Sequence, residues 1–162
     1  MELPRFHRLR RAYYRLEGTA CRACGAIAFP PRPACAACRS ADISPHLLSG
    51  RGRLYSFTRV AQPPRGFASM APYAVGMVRL EEGPLVTAQL ADSEGEDLAI
   101  GMPMEMVTRK IRDACENGLI VYGYKFRPVI RPDGSPSGAL DPRPDTRVSD
   151  TRPGTSAPGT EP

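Results

Sequence analysis

Cys21-Arg22-Ala23-Cys24 and Cys35-Ala36-Ala37-Cys38 decide how this chain is read. The pattern is C-x2-C-x10-C-x2-C. Each pair can hold a metal from one tight turn, and the ten residues between the pairs can fold back on themselves. Four thiolates satisfy a tetrahedral, borderline-soft ion such as Zn2+ with no open coordination position, so the site is structural and not a reaction centre. Residues 25–34 are too few for a helix that also leaves room to return. They suit two short strands and a bend, which makes a zinc ribbon. Iron held as in rubredoxin, redox-active cysteines and disulfides are the rival chemistries for the same four residues. Disulfides need an oxidising compartment. The first residues mix basic and acidic side chains with isolated apolar ones and carry no apolar signal-peptide core, which points to the cytoplasm. Cys115 stands alone near an expected turn, without the partners of a nucleophile.

Outward from the ribbon, the 162 residues leave room for one ordinary domain or two small ones. No apolar run approaches the length of a bilayer span. Charge is unevenly spread: residues 1–59 carry +8 with eleven Arg and no Lys, residues 60–130 carry −2, and the remainder −1. The basicity therefore belongs to the N-terminal part, which favours an anionic partner there.

Arg5 to Glu17 reads as a helix, with Phe6, Leu9, Tyr13 and Leu16 at three- and four-residue steps and Gly18 as its stop. Beyond Gly50 the period changes to that of strands. Arg53–Val60, Tyr73–Leu80, Pro84–Leu90, Met104–Arg109 and Leu119–Phe126 are the five expected, all antiparallel. Glu82-Gly83 and Asn117-Gly118 supply turns. Five strands in about 80 residues suit a closed barrel, since closure removes exposed edges. An OB-type barrel is the first choice; an SH3-like barrel or a small sandwich has the same strand count. The expected organisation is an N-terminal helix at 1–18, a rubredoxin-like zinc ribbon at 19–46, a barrel at 47–130 and a disordered tail at 131–162. The tail is Pro, Gly and polar residues with few aliphatics, too little apolar surface to offset chain entropy. Truncation before Pro132 is accordingly expected to leave the melting temperature within a few degrees in a thermal scan; a large drop would show that the tail packs on the barrel.

Residues carrying a family resemblance run in order along the chain: Cys21-Arg22-Ala23-Cys24-Gly25, Phe29-Pro30-Pro31-Arg32, Cys35-Ala36-Ala37-Cys38, Ser49-Gly50-Arg51-Gly52, Ser56-Phe57-Thr58, Pro72-Tyr73, Leu80-Glu81-Glu82-Gly83-Pro84, Ile100-Gly101-Met102 and Phe126-Arg127-Pro128. Over residues 5–130 the chain resembles the zinc-ribbon/OB-fold family associated with acyl-CoA enzymes, long catalogued as a domain of unknown function. It departs from that pattern at Ala34 and at Ala36-Ala37 in the second knuckle, where family members often carry Pro. The resemblance implies one structural Zn2+ per chain on Cys21, Cys24, Cys35 and Cys38. It also implies a non-catalytic accessory subunit that binds a thiolase-fold enzyme, or in some relatives a MaoC-like hydratase. Such a subunit supports acyl-CoA thiolysis, acyl transfer or retro-aldol cleavage and helps to cover coenzyme A. A dimeric thiolase partner implies a heterotetramer with two of each chain. The candidate contacts to the coenzyme phosphates are Arg32, beside the ribbon tip, then Arg22 and Arg59, because guanidinium presents several donors to phosphate oxygens.

The alternative function is an OB-fold nucleic-acid-binding module, with Tyr55, Phe57, Tyr122 and Tyr124 as stacking candidates. The negative charge of the barrel segment weighs against it. His7 and His46 are far apart in sequence, and each reads as a surface residue.

Overall fold

Tyr-Ala-Val-Gly-Met-Val-Arg-Leu, residues 73–80, alternates half-buried or exposed with buried positions along its whole length, as a strand with one face on a core must. In a computed structural model of the chain, which describes residues 3–64, 67–93, 98–113 and 120–130, it is the second strand of a closed barrel. Two short helices come first, α1 (Leu3–Arg8) and α2 (Arg10–Arg15). A three-stranded ribbon sheet follows: β1 (Glu17–Cys21), β2 (Ile27–Ala28) and β3 (Ile43–Leu47), in the order β2-β1-β3. The barrel comprises β4 (Arg51–Val60), β5 (Tyr73–Leu80), β6 (Leu85–Leu90), β7 (Pro103–Asp113) and β8 (Ile120–Pro128). Its order is β4-β5-β6-β8-β7, closed by pairing of β7 with β4. That closed order is the OB arrangement and rules out a sandwich.

The structure corrects four expectations. The single helix over 5–17 is two six-residue helices interrupted at Leu9, and it ends at Leu16, whose left-handed backbone (φ 53°) turns the chain straight into β1. Gly18 is not the stop. It lies in β1, where a Cβ would come within 2.4 Å of the Ala28 carbonyl oxygen on β2. Between the cysteine pairs there is one two-residue strand and not two, because Pro30, Pro31 and Pro33 have no N–H for a ladder; β2 pairs instead with β1 upstream. Finally, the barrel is not wholly antiparallel. β6 and β8 meet in parallel at Leu90 and Phe126, reinforced by the Ala91 N–H donating to the Phe126 carbonyl at 2.8 Å. Five is an odd number, so directions cannot alternate all the way round a ring, and one seam has to be parallel. The Asn117-Gly118 turn, Cys115 and the tail from Arg131 lie outside the described residues.

The core unites the modules. Phe126, Met104, Val78 and Leu54 fill the barrel, and Leu16 from the end of α2 and Leu48 from the linker belong to the same buried cluster. Ile27 and Phe29 of the ribbon pack against that cluster. Tyr124 on β8 is the hub: Tyr13 of α2 stacks on it at 6.3 Å, and Phe29 meets it edge-on at 5.4 Å. Of the expected helix stripe, Leu16 is buried while Leu9 and Tyr13 are half-buried; Ala12, unremarked in the sequence, is buried too. The amphipathic segment thus packs within its own chain, and the ribbon is held to the barrel by apolar contact, while the Leu48 N–H donates to the Leu16 carbonyl at 3.3 Å and ties the linker to the helix end. Glu82, from the β5–β6 turn, accepts a hydrogen bond from the Ser49 N–H and so pins the linker between ribbon and barrel.

Candidate metal centre

The two cysteine knuckles are built alike, although their sequences differ. In the first, the Cys21 N–H donates to the Ala26 carbonyl and the Gly25 N–H to the Cys21 carbonyl, both at 2.9 Å. In the second, the Cys35 N–H donates to the Ser40 carbonyl at 2.9 Å and the Arg39 N–H to the Cys35 carbonyl at 3.1 Å. Each turn closes through a residue with positive φ directly after its second cysteine, Gly25 at 73° and Arg39 at 63°. The second knuckle thus forms the same turn with Ala36-Ala37 that the first forms with Arg22-Ala23.

These turns bring four sulfurs together. Cys21 Sγ lies 3.5 Å from Cys38 Sγ, Cys24 Sγ lies 3.6 Å from Cys35 Sγ, and all four fall within 4.8 Å of one another. A tetrahedron of thiolates around zinc, with Zn–S of about 2.3 Å, has sulfurs about 3.8 Å apart. The spacing fits that ion and is far too long for disulfides, whose sulfurs are about 2.05 Å apart; all four cysteines are free thiols. Cys21 and Cys35 are buried and Cys24 and Cys38 exposed, so one sulfur of each pair faces inward.

The donor set calls for a cation. N–H groups of Cys38 and Ala37 pull the Cys35 thiol down to about 6. The Ala26 N–H acts in the same sense on Cys24, but its three neighbouring sulfurs outweigh it and push that thiol up to about 12. Crowded sulfurs cannot all ionise beside one another unless a positive ion takes the place of their protons. Cys21, Cys24, Cys35 and Cys38 would hold that ion, and a closed shell of four sulfurs gives it a structural part only.

The candidate coenzyme arginines lie on two modules, Arg22 and Arg32 on the ribbon and Arg59 on the barrel. Arg32 is exposed at the ribbon tip, with its backbone N–H directed at Thr19 Oγ1 at 3.5 Å. Arg22 is exposed beside Asp42, at 3.7 Å. Arg59 lies near the end of β4 and lines a cleft of about 780 Å3 on the barrel. The other cations of that cleft, Arg109, Lys110 and Lys125, were not singled out in the sequence. They come from two further strands, and no spacing pattern connects them. Of the aromatic stacking candidates, Phe57 and Tyr124 pack against the core, while Tyr55 and Tyr122 are half exposed and the Arg79 guanidinium sits 5.0 Å over the Tyr55 ring.

The family model for the ChsH2 rubredoxin-like zinc ribbon domain matches residues 11–44, and that for the ChsH2 C-terminal OB-fold domain matches residues 46–109. A DUF35 domain-containing scaffold protein of Pyrococcus furiosus is 49% identical over 131 residues, covering 81% of this chain and 96% of the relative. The chain belongs to this DUF35 family. A second relative, the benzoylsuccinyl-CoA thiolase subunit BbsA of Thauera aromatica, is 32% identical over 70% of this chain and 76% of its own length. Among solved structures, the Ltp2-ChsH2(DUF35) aldolase is similar with a TM-score of 0.58 and 28% identity, over 76% of this chain and 90% of that chain. The zinc-ribbon and OB assignments of the sequence are thereby established, and the zinc site is that of a DUF35 ribbon. Among the described residues no helix is long and apolar enough to cross a membrane.

Proposed function

We propose that this chain is a non-catalytic accessory subunit in the cytoplasm that binds a thiolase-fold enzyme and supports its acyl-CoA thiolysis, acyl transfer or retro-aldol reaction. The observation that carries this reading is the likeness over both ribbon and barrel to proteins named as scaffolds and to a thiolase subunit. The structure supports it in two ways. Its one cluster of metal-binding side chains among the described residues is a closed tetrathiolate, suited to holding shape. Its surface exposes Tyr14, Leu85, Ile120 and Tyr122, large apolar side chains of the kind that a stable interface covers. Contact with coenzyme A falls to Arg32 and Arg22 on the ribbon and to Arg59 on the barrel. The assembly contains two of each chain.

Affinity purification from the native cell, followed by mass spectrometry and light scattering, tests the reading. The expected result is a thiolase-fold subunit in equal amount, in a particle of two and two, while the isolated chain turns over no acyl-CoA. Turnover by the pure chain, or its recovery with nucleic acid in place of an acyl-CoA enzyme, would refute it.

A further inference from the structure

Helix α2, Arg-Arg-Ala-Tyr-Tyr-Arg over residues 10–15, divides into two faces. Ala12 is buried, Tyr13 stacks on Tyr124 at 6.3 Å, and Leu16 at the helix end enters the barrel cluster. The other four residues, Arg10, Arg11, Tyr14 and Arg15, are exposed. Steps of three and four residues put Arg10 and Arg11 beside Tyr14, and Arg15 one turn beyond Arg11. The outer face is therefore three guanidinium groups around one tyrosine ring that is 44% exposed. Neither helix has an acid in its first turn, and α1 adds exposed His7 and Arg8 just upstream. Arg11 meets Glu17 at 3.6 Å while 69% exposed itself, a weak surface pair. Arg10 and Arg15 form no ion pair among the described residues. Like charges one turn apart oppose a helix. The packed inner face thus holds in place an outer face whose charge its own chain leaves largely uncompensated.

We propose that the outer face of α2 docks onto an acidic surface of a partner protein, with carboxylates meeting Arg10, Arg11 and Arg15 around a shallow apolar hollow that takes the Tyr14 ring. The proposal rests on the accessory-subunit reading and names the element by which that subunit meets its partner. Charge complementarity selects the carboxylates, which guanidinium groups meet through two parallel hydrogen bonds. Tyr and Arg are among the residue types that carry most of the binding energy at protein interfaces. The helix is already fixed against Tyr124 of β8, so docking pays little for ordering it. An anionic lipid surface fits worse, because the apolar face that would enter the membrane is packed on the barrel. A nucleic acid also fits worse. Its affinity grows with the number of phosphates neutralised, and a helix of six residues, about 9 Å long, reaches few of them. One exposed ring gives one stacking platform, where single strands use several in succession.

The test isolates the tagged full chain with its partner from the native cell, separates and recombines the two proteins, and measures Kd by titration calorimetry. Arg10→Glu with Arg15→Glu should weaken binding roughly a hundredfold, since like charges then face each other. Tyr14→Ala should weaken it about tenfold or more. Raising salt from about 0.05 to about 0.5 M should weaken the wild-type complex and barely move the double variant. Arg51→Glu with Arg53→Glu makes the same change of charge at exposed positions of β4 and should stay within about threefold of the parent. Should the α2 reversal fail to fold by circular dichroism, Arg10→Gln and Tyr14→Ala, at exposed positions, carry the test. An unchanged Kd in the α2 variants, an equal loss in the β4 variant, or recovery of the chain with no protein partner would each overturn the proposal. So would tighter α2-dependent binding to a single-stranded oligonucleotide or to phosphatidylserine vesicles. The two readings separate: a thiolase-fold partner whose affinity ignores α2 sinks this proposal alone, and a partner of another class released by the α2 variants sinks the accessory-subunit reading alone.

Discussion

Cys24→Ser is expected to release the metal, unfold the ribbon and loosen assembly with the catalytic partner, while the barrel keeps its strands. Structural zinc in small modules contributes roughly 10–16 kcal/mol of binding free energy coupled to folding. The ribbon has little else to hold it. Its sheet is three short strands, one of them only two residues long, and two of its four sulfurs face solvent. The apolar contacts of Ile27 and Phe29 with the barrel cluster tether the ribbon, but they cannot replace the closure of both knuckles around one ion. The barrel has its own core of Phe126, Met104, Val78 and Leu54. Metal analysis should give about one zinc per wild-type chain and a small fraction of that in the variant. Amide exchange should rise over residues 19–47 and stay slow in β5 and β8. A folded Cys24→Ser protein with full zinc, or a folded wild type holding less than half an equivalent, would remove the metal from its structural place.

The cysteine spacing made the metal site readable because ligand geometry tolerates few arrangements: two residues between ligands make one turn, and two turns make a tetrahedron. Alternation made the barrel strands readable for the same kind of reason. Tyr73–Leu80 was found at its observed bounds, and Arg53–Val60 was two residues short of β4. Met104–Arg109 was legible as the start of a strand, but not the continuation of β7 to Asp113 across a bulge between Lys110 and Arg112, because an extra residue in one strand shifts the alternation that defines it. β3 went unseen because Ile43-Ser44-Pro45-His46-Leu47 contains a proline and little apolar alternation; it exists because β1 offers a free edge beside it. The parallel seam was within reach by counting alone, since five strands cannot alternate around a ring. The cleft cations were not. Arg59, Arg109 and Lys125 are far apart along the chain, and only the barrel's closure brings them to one cleft.

Gly52→Ala is expected to cost about 3 kcal/mol or more, the scale of overpacking in a closed core. Gly52 sits in β4 opposite Leu80 of β5 and Met104 of β7, so it is flanked by strands on both sides. A Cβ there would stand 2.3 Å from the Arg79 carbonyl oxygen, 2.9 Å from its carbonyl carbon and 2.9 Å from Val78 Cγ1. Two of these atoms are backbone in a paired strand, so no side-chain rotation relieves the overlap. β4 has to move away from β5, and β4 also pairs with β7 to close the barrel, so the strain reaches the closing seam. Gly83→Ala makes the contrast. Nothing lies within 4 Å of its Cβ position, and only its φ of +105° opposes the change, a cost of about 1–2 kcal/mol. Thermal unfolding of the two variants should therefore separate them, with Gly52→Ala melting roughly 10 °C below the parent and Gly83→Ala falling by less. Equal shifts would mean that β4 and β5 can part at Gly52 without loss, and that the barrel is held together elsewhere than at this close approach.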